Sequence, residues 1–408
     1  MTPNDRRGFL KNASGTAAFL AIQPKWLPIP RLAASLSVGV IGVGRQGRAI
    51  LGELGKFEDV TIAAICDTDE SRLRSGARRA AQAKTYPEQS ALLADESIDA
   101  VVIATPTHAH METAVAALAT GKHVYCEAPL AHTVDDARSI ADAARSAKGI
   151  FQTGMLGRCN PVYKLARTFV RSGAIGDLVG LRGQYHKKTS WRTPAADPAR
   201  EAALNWRIDP ELSTGLLGEF GTQQFDVLHW FTGKYPSSAH TTGSIQAWQD
   251  GREVHDTVQS QLSFPKGMTC HYDATIGNSF EGQFELLMGT MGSVKLSWTH
   301  GWMFKEADAP TQGWEVYANR QRFHNDEGIT LIADATKLSA QGKLKEGVGL
   351  PHPPLYYGLE SFLKSATEGQ PVVCGADEGV RAAIVGIRAH EAAGASTELQ
   401  IDLAGENR

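Results

Sequence analysis

Cysteine is scarce in this chain and is not arranged for metal binding or cross-linking. Five cysteines are scattered over 408 residues, and none of them form a CxxC pair. An odd, dispersed set excludes a disulfide framework and a cysteine zinc site. We expect all five to be buried and to behave as small apolar side chains. They are Cys66, Cys126, Cys159, Cys270 and Cys374.

The chain also lacks an excess of charge and, beyond its first 34 residues, a long apolar run. The net charge is -3 and the isoelectric point is about 6.5. This balance gives no reason to expect nucleic acid or an anionic membrane surface as a partner. No further stretch is apolar enough to span a bilayer. With 42% hydrophobic residues, the chain has the composition of a globular protein, and its length favours two or more domains.

Residues 1–34 have the pattern of an export signal. Arg6-Arg7 precedes Phe9-Leu10-Lys11, an apolar segment follows over 17–22, and residues 32–34 offer a cleavage site. The twin arginine resembles a Tat signal, although Asp5 replaces the usual Ser or Thr. The alternative is a disordered basic tail. Export by this route predicts a periplasmic, already folded protein whose nucleotide is held tightly and regenerated in place.

A glycine-rich turn follows the first predicted strand, residues 36–41. The order strand, GxGxxG, helix is the context that a dinucleotide-binding turn requires. Gly42 permits the tight turn, Gly44 lets the backbone approach the pyrophosphate, and Gly47 lets the helix pack on the strand. The phosphates then meet the free N–H groups of the helix. The predicted cofactor-binding residues of this turn are Gly42, Gly44, Arg45, Gln46 and Gly47.

An acidic residue stands at the end of the second predicted strand, residues 60–66. Asp67 lies twenty residues after Gly47, where an acid binds the adenosine ribose hydroxyls. A carboxylate there predicts NAD rather than NADP, because it repels a 2′-phosphate. Two later strands, from Ala100 and from His123, run into loops at their carboxyl ends, where ligands bind such sheets. From these loops we predict further cofactor contacts by Thr105, Pro106, His110, Glu127 and Ala128.

Four segments together resemble the Gfo/Idh/MocA family, the glucose-fructose oxidoreductase and inositol dehydrogenase group. They read VGVIGVGRQGRAI, ATPTHAH, GKHVYCEAP and GMLGRCNPVYKLARTFVRSGAIGDL. Strand and helix alternation predicts an α/β protein with an N-terminal doubly wound Rossmann domain over 36–150. Over 151–408 we expect a C-terminal α+β domain with a large, mainly antiparallel open sheet, and C-terminal helices that pack back on the first domain. The resemblance further implies a homo-oligomer formed through the open sheet.

Two catalytic positions of the resembled family hold different residues here. The lysine of its Glu-Lys-Pro motif is Ala128, and the histidine on a later helix is Gln223. The resemblance places Glu219 at the family's acidic position and retains Asp226. Alanine cannot carry a proton, and glutamine has no useful pKa. Glu219 and Gln223, four residues apart on a predicted helix, share a face and could hold a substrate hydroxyl.

Other side chains could replace the missing proton carriers. The segment GQYHKKTSWR supplies Tyr185, His186 and Lys187, and strand alternation places Tyr185 and Lys187 on one face and His186 on the other. The NAD-dependent α-N-acetylgalactosaminidase branch of the family also lacks the lysine, and Tyr185 and Lys187 match its Tyr and His positions. The predicted catalytic set is Tyr185, His186, Lys187, Glu219 and Gln223. The predicted substrate-binding set is Arg158, Asn160, Trp191, Arg192, Trp206 and Asp226; no metal is predicted.

Three functions follow from this pattern. The first is an NAD-dependent sugar-active oxidoreductase that transfers a hydride between a tightly bound nicotinamide and a carbohydrate carbon. The second is a glycoside hydrolase or lyase that oxidises C3 transiently, eliminates the glycosidic bond, adds water and reduces the ketone again. The third, favoured by the loss of both lysine and histidine, is a catalytically silent nucleotide- and sugar-binding protein.

Overall fold

The computed structural model describes residues 32 and 34–403, apart from 314, 316, 317, 324, 325 and 396. The export signal predicted over 1–34 therefore falls almost entirely on residues outside this description. Among the helices that are described, none combines the length and the apolarity that crossing a bilayer takes. All five cysteines are buried and free of disulfides, as their spacing predicts.

The first domain alternates strands and helices. Its strands are β1 Leu36–Ile41, β2 Val60–Cys66, β3 Lys84–Tyr86, β4 Ala100–Ile103, β5 His123–Glu127 and β6 Phe151–Gly154. Its helices are α1 Arg45–Leu54, α2 Glu70–Ala77, α3 Gln89–Leu93, α4 His110–Ala119 and α5 Val134–Ser146. The β-branched and small residues of β1 and β4 are almost wholly buried, because helices cover both faces of a parallel sheet. Since β6 belongs to this sheet, the domain reaches Gly154 rather than ending at 150.

The six strands described in this sheet are parallel and run in the order β3-β2-β1-β4-β5-β6. The order reverses between β1 and β4, where Ile41 lies beside Cys66 on one side and Ile103 on the other. Ligands of such sheets bind in the crevice at this point, outside the carboxyl ends of the strands. The glycine turn, Asp67 and the loop after β4 therefore meet at one edge.

The second domain combines helices with a larger sheet. The helical segments are α6 Pro161–Arg171, α7 Pro198–Leu204, a π-helical turn Leu217–Gly221, α8 Thr222–Thr232, α9 Ala335–Ala340, α10 Pro354–Glu368 and α11 Ala376–Ala395. The strands are β7 Leu178–His186, β8 Ser238–Ser244, β9 Thr257–Ser263, β10 Thr269–Thr275, β11 Gln283–Gly289, β12 Gly292–Ser297, β13 His300–Lys305, β14 Arg320–Phe323, β15 Asp326–Thr330 and β16 Leu399–Gln400. Asn160 begins α6 by accepting the N–H groups of Val162 and Tyr163, which is the role that asparagine favours at a helix start.

The ten described strands of this domain form one sheet in the order β14-β15-β13-β12-β11-β7-β10-β9-β8-β16. Neighbours are antiparallel except β7 and β10, which are parallel. The mainly antiparallel open sheet is thus confirmed. The sequence predicts five of these strands, over 178–185, 258–264, 268–275, 283–288 and 293–298. It does not predict β8, β13, β14, β15 and β16, most of which are polar or short and carry little alternation.

The C-terminal helices join the two domains. Helix α10 contacts α1, and α11 contacts α5 and β6 of the first domain as well as α8 and β8 of the second. Close packing is visible at Gly379, where an added Cβ would lie 2.5 Å from Oγ1 of Thr153. The backbone N–H of Thr153 also donates to the carbonyl of Cys374 at 2.9 Å. The helices thereby fix how the second domain sits over the carboxyl edge of the parallel sheet.

Candidate active site between the two domains

The glycine turn is built so tightly that side chains are excluded at two positions. Gly42 has φ +87°, and a Cβ there would lie 2.6 Å from the carbonyl oxygen of Ala104. A Cβ on Gly47 would lie 1.9 Å from the carbonyl oxygen of Gly42. Helix α1 starts directly after Gly44, and no side chain caps it. Its first N–H groups and the positive end of its dipole thus suit an anionic group such as a pyrophosphate.

Asp67 holds the turn in place from the end of β2. Its Oδ2 accepts the N–H of Val43 at 2.9 Å, and its Oδ1 accepts the N–H of Asp69 at 2.9 Å. Burial raises the pKa of this carboxyl, while the two backbone donors and Arg72 oppose the rise. Each carboxylate oxygen has a further lone pair, which fits the ribose contact that the sequence predicts.

The loop after β4 is fixed by His110. Its Nδ1 lies 2.9 Å from the carbonyl oxygen of Pro129, and its Nε2 lies 3.0 Å from that of Thr105. Burial lowers the pKa of this imidazole to about 4. The neutral ring has one N–H and donates to one of these two carbonyls, so His110 helps to position the loops at Thr105-Pro106 and Pro129; its contact with the cofactor stays a prediction. Within the described chain, the buried Oγ1 of Thr105 has no hydrogen-bond partner, so it is available to a ligand.

Glu127 ends β5 as a buried acid beside the glycine turn. Its Oε1 accepts a hydrogen bond from Nε2 of Gln46 at 3.1 Å. Burial raises the pKa of this carboxyl to about 7, against the lowering effect of Gln46 and the backbone of Ala128. Ala128 packs against the small cluster that includes Met155 and Cys374, so a small apolar side chain stands at this position.

Glu219 lies in the π-helical turn and bridges the domains. Its Oε1 accepts from Oγ1 of Thr107 at 3.0 Å and from Oγ1 of Thr214 at 3.1 Å. Its Oε2 pairs with Nε of Arg207 at 3.0 Å, and its side chain is only 3% exposed. π-Helical turns are rare in proteins, and those that occur are frequently found at functional sites. Here the turn directs Glu219 to Thr107 of the first domain.

Gln223 takes a different direction from Glu219. Its Oε1 accepts the N–H of Leu156 at 3.3 Å, in the segment that follows β6. The shared helix face predicted for Glu219 and Gln223 assumes regular α-helix, and the π-turn changes that phase. Both side chains lie at the junction of the domains, but their hydrogen-bond partners are separate.

Tyr185 lies in β7, and Lys187 directly follows His186, the last residue of that strand; that their side chains share a face stays a prediction. The Tyr185 ring stacks on Phe220 with centroids 3.8 Å apart. Burial raises the pKa of Tyr185, and the charges of Arg45 and Arg207 oppose this. Burial and the charge of Arg45 lower the pKa of Lys187. The position of Tyr185 at the domain junction is shown by its stacking on Phe220, which directly follows Glu219.

His186 points away from that cleft. Its Nε2 pairs with Oδ2 of Asp273, and its Nδ1 lies 3.2 Å from the carbonyl oxygen of Phe280. Both partners lie toward the open face of the second sheet. His186 thus lies on the face of β7 opposite Tyr185, as alternation predicts, and its catalytic role stays a prediction.

Three predicted substrate-binding residues have protein partners. Arg158 donates to both carboxylate oxygens of Asp226 at 2.7–3.1 Å, and their side chains are 9% and 1% exposed. Burial opposes the charge of Arg158, but the carboxylate holds the pKa of Arg158 above its usual range. Asn160 is fully buried, caps α6 and donates to the carbonyl of Trp298. These contacts give the three residues a structural role, and their contact with a substrate stays a prediction.

The remaining predicted residues belong to a long connection, residues 187–209. Trp191 contacts Phe220, with ring centroids 5.2 Å apart, beside Tyr185. Trp206 is buried against His108, with ring centroids 5.7 Å apart. Arg192 does not face the cleft, since its Nε donates to Oδ2 of Asp250 at 2.8 Å.

Two residues that the sequence reasoning missed complete the cleft. Arg200 on α7 pairs through Nε with Oδ2 of Asp69 at 2.6 Å, and Arg207 pairs with Glu219 as described. The signal for α7 was present in the sequence, since Asp197 caps it and Pro198 occupies its first turn, which is a typical helix start. Nothing in the sequence, however, indicates which partner Arg200 reaches.

Comparison with known proteins gives the family. Residues 36–155 match the oxidoreductase family with an NAD-binding Rossmann fold, and residues 163–295 match the Gfo/Idh/MocA C-terminal domain. The chain belongs to the Gfo/Idh/MocA family. As a member, it is an NAD-dependent oxidoreductase whose first domain binds NAD. The family resemblance drawn from the four sequence segments is thereby confirmed.

Individual relatives differ in what they are named for. An inositol 2-dehydrogenase of Saccharopolyspora erythraea is 30% identical over 270 residues, which are 64% of this chain and 73% of that protein. A 2,7-anhydro-N-acetylneuraminate hydratase of Escherichia coli is 24% identical over 264 residues, 64% of this chain and 67% of that protein. A solved levoglucosan dehydrogenase in complex with NADH and levoglucosan has a TM-score of 0.71 at 22% identity, covering 90% of this chain and 99% of that one. This last likeness shows the fold.

Proposed function

We propose that this Gfo/Idh/MocA protein transfers a hydride between a tightly held NAD and a carbohydrate carbon, with Tyr185 and Lys187 as the groups that move the hydroxyl proton. One observation carries the proposal. The Tyr185 ring stacks on Phe220 with centroids 3.8 Å apart, and Phe220 directly follows Glu219, whose Oε1 accepts from Oγ1 of Thr107 in the first domain at 3.0 Å. Tyr185 therefore lies at the junction of the two domains, and Lys187 follows two residues later, just past the end of β7. Relatives named for inositol and for levoglucosan support a polyhydroxylated substrate.

The residues of the first domain fit the cofactor. Gly42 and Gly47 pack against backbone, whereas at Gly44 a Cβ would meet only the side chain of Arg72 at 3.7 Å, so a phosphate can approach the uncapped start of α1 there; Asp67 follows β2 at the position expected for the ribose. The unpartnered Oγ1 of Thr105 lies on the loop at the carboxyl end of β4. Bound there, NAD supplies a hydride acceptor and donor.

The protein's part in the reaction is to orient the sugar and to handle one proton. As hydride leaves the carbinol carbon, the hydroxyl proton must pass to a base. Lys187, whose pKa is lowered, is the better base, and the hydroxyl of Tyr185 beside it can relay the proton. Ala128 and Gln223 cannot take this role. The aromatic wall formed by Tyr185, Trp191 and Phe220 suits the apolar face of a sugar ring.

A second function is favoured by the vacated lysine position and by the hydratase among the relatives. In this redox-neutral cycle, C3 of a glycoside loses hydride to NAD and its hydroxyl proton to a base. The ketone acidifies the C2 proton, whose removal expels the group at C1. Water then adds across the C1–C2 double bond, and C3 regains the hydride. The net reaction is hydrolysis, and the NAD ends as it began.

One experiment separates these functions. The purified protein is tested for copurified NAD and then given free sugars and aryl glycosides, without added cofactor, while reduced nicotinamide and free aglycone are followed together. The appearance of reduced nicotinamide without cleavage supports net oxidation. Release of aglycone with no lasting reduction supports the hydrolytic cycle. Bound NAD with neither signal contradicts both and supports the catalytically silent protein.

Matched variants test the proton carriers. Lys187→Met and Tyr185→Phe should each lower turnover by roughly 10²–10⁴-fold, the usual contribution of general acid–base catalysis. Lys188→Met is the control for the first, because Lys188 is the adjacent lysine and is exposed like Lys187, while alternation of an extended chain turns the two side chains in opposite directions. Tyr272→Phe is the control for the second, since its hydroxyl donates to Gln224 inside the domain. Turnover that falls equally in variant and control would contradict the assignment.

We also propose that the protein acts outside the cytoplasm with its cofactor loaded before export. The support is the twin arginine and apolar segment of the first 34 residues. Replacing Arg6-Arg7 by Lys-Lys should retain the protein in the cytoplasm of its host, as followed by fractionation. Unchanged export of the variant would contradict this route.

A further inference from the structure

The connection between β7 and the π-turn runs along the dinucleotide groove. It leaves β7 after His186. It then reaches Asp69 through Arg200, and it returns to Trp206, which packs on His108 in the loop after β4. The first of these two contacts lies next to Asp67, at the predicted ribose end, and the second lies on the loop after β4. Because β2 and β4 flank β1, residues 187–209, here called the strap, contact the first domain on both sides of the glycine turn.

The contact of Arg200 is made next to the ribose-binding acid. Asp69, its partner, is two residues after Asp67 and donates its own N–H to Oδ1 of Asp67 at 2.9 Å. Asp69 also begins α2 by accepting the N–H of Arg72. The side chain of Arg72 lies 3.7 Å from the position that a Cβ of Gly44 would take. Arg200 thus reaches the one place where the acid, the glycine turn and α2 converge.

The strap is held stiffly by its own domain. Asp250 accepts from Nε of Arg192 at 2.8 Å and from Nε of Arg252 at 2.7 Å. Arg252 also donates to the carbonyl of Ser190 at 2.6 Å. Asn205 exchanges two hydrogen bonds with the backbone of Thr193. Because these contacts fix the strap to the second domain, its outer end is joined to the first domain chiefly through Arg200.

We propose that the strap closes the dinucleotide groove and that Arg200 is a cofactor-retaining residue supplied by the second domain. A dinucleotide that leaves the ribose end has to pass between the strap and Asp67, so the pair of Arg200 with Asp69 opens first. The inference rests on the proposed function in one respect, the need of a closed redox cycle to keep its NAD. It adds an ionic contact that acts on release of the dinucleotide and not on the sugar.

The test measures cofactor release without any sugar. The full-length protein is loaded with NADH, excess NAD is added, and loss of the bound nicotinamide fluorescence gives the release rate. Arg200→Ala should release NADH about two- to five-fold faster, which is the range for a partly exposed ion pair. Arg200→Glu, which repels Asp69, should release it roughly ten-fold faster. Arg200→Lys, which keeps the charge, should stay closer to the wild-type rate.

A matched control is available on the second sheet. Arg320 pairs with Glu327 at 3.0 Å and is 43% exposed, against 42% for Arg200. Arg320→Ala should release NADH at the wild-type rate. If Arg200→Glu also releases NADH at that rate, the inference is overturned, and a lowered melting temperature in the same variant would identify the pair as a domain tether only. Failure of the wild-type protein to bind NADH would overturn it as well. If the NADH release rates are as expected but no sugar is turned over, only the proposed chemistry is contradicted.

Discussion

The buried pair of Arg158 and Asp226 gives the sharpest test of what the structure changes in the sequence prediction. If the pair is structural, Arg158→Met leaves a carboxylate that is 1% exposed without its cation and without three N–O contacts of 2.7–3.1 Å. Breaking a buried pair from one side costs about 3–5 kcal/mol. At about 2–4 °C per kcal/mol for a large domain, the melting temperature should fall by roughly 10 °C. Asp226→Leu should lower the melting temperature by a similar amount, because it leaves the buried guanidinium of Arg158 without its carboxylate partner.

The double variant decides the interpretation. Arg158→Met with Asp226→Leu replaces both charges by apolar groups, a change that is often neutral or stabilising. It should therefore melt closer to the wild type than either single variant in a calorimetric scan. Arg388→Met is the control, since its pair with Glu391 is exposed and should contribute less than about 1 kcal/mol. Single variants that melt like the wild type but lose substrate affinity would refute the structural role and restore the predicted substrate contact.

Three further outcomes are expected. Burial raises the pKa of Glu285 to about 7 from 4.5, so its contribution to stability is present below pH 4.5 and is lost as the pH rises to about 7. The difference in unfolding free energy between wild type and Glu285→Gln should therefore shrink by up to about 3 kcal/mol between pH 4.5 and 8 in urea titrations; a constant difference would contradict the shift. Asp67→Asn should reduce the preference for NADH over NADPH roughly ten-fold or more in fluorescence titrations, because it removes the charge that repels a 2′-phosphate. An unchanged preference would remove Asp67 from the ribose site. Gly47→Ala forces a Cβ to within 1.9 Å of the Gly42 oxygen, so it should weaken NADH binding by about ten-fold or more, and wild-type affinity would show that the turn can relax.

The sequence predicts the first domain well because its signals are local. The glycine turn, the buried strands and Asp67 each carry their meaning within a few residues, and the structure places Gly42, Gly47 and Asp67 together. The strands of the second domain are harder to predict from the sequence. Strands such as β14 and β8 are polar or short, and their position depends on neighbours far along the chain.

The site in the second domain escapes prediction for the same reason. Sequence alternation separates His186 from Tyr185, but only the partners in space show that His186 is tied to Asp273. The pairing of Arg158 with Asp226 spans 68 residues and that of Arg200 with Asp69 spans 131. The π-turn at Glu219 changes the helical phase, and the amino-acid sequence around it does not predict this change.

Helix α11 has a consequence for the order in which the molecule is made. It packs against α5 and β6 of the first domain and against α8 and β8 of the second, and it is synthesised after all four of these elements. Contacts between residues this far apart in sequence form slowly, and domains made first generally begin to fold first. We expect the parallel sheet to form during synthesis with the side that α11 covers still open. The cleft then reaches its final shape only after α11 has left the ribosome, so a nascent chain stalled before residue 376 should bind NADH poorly.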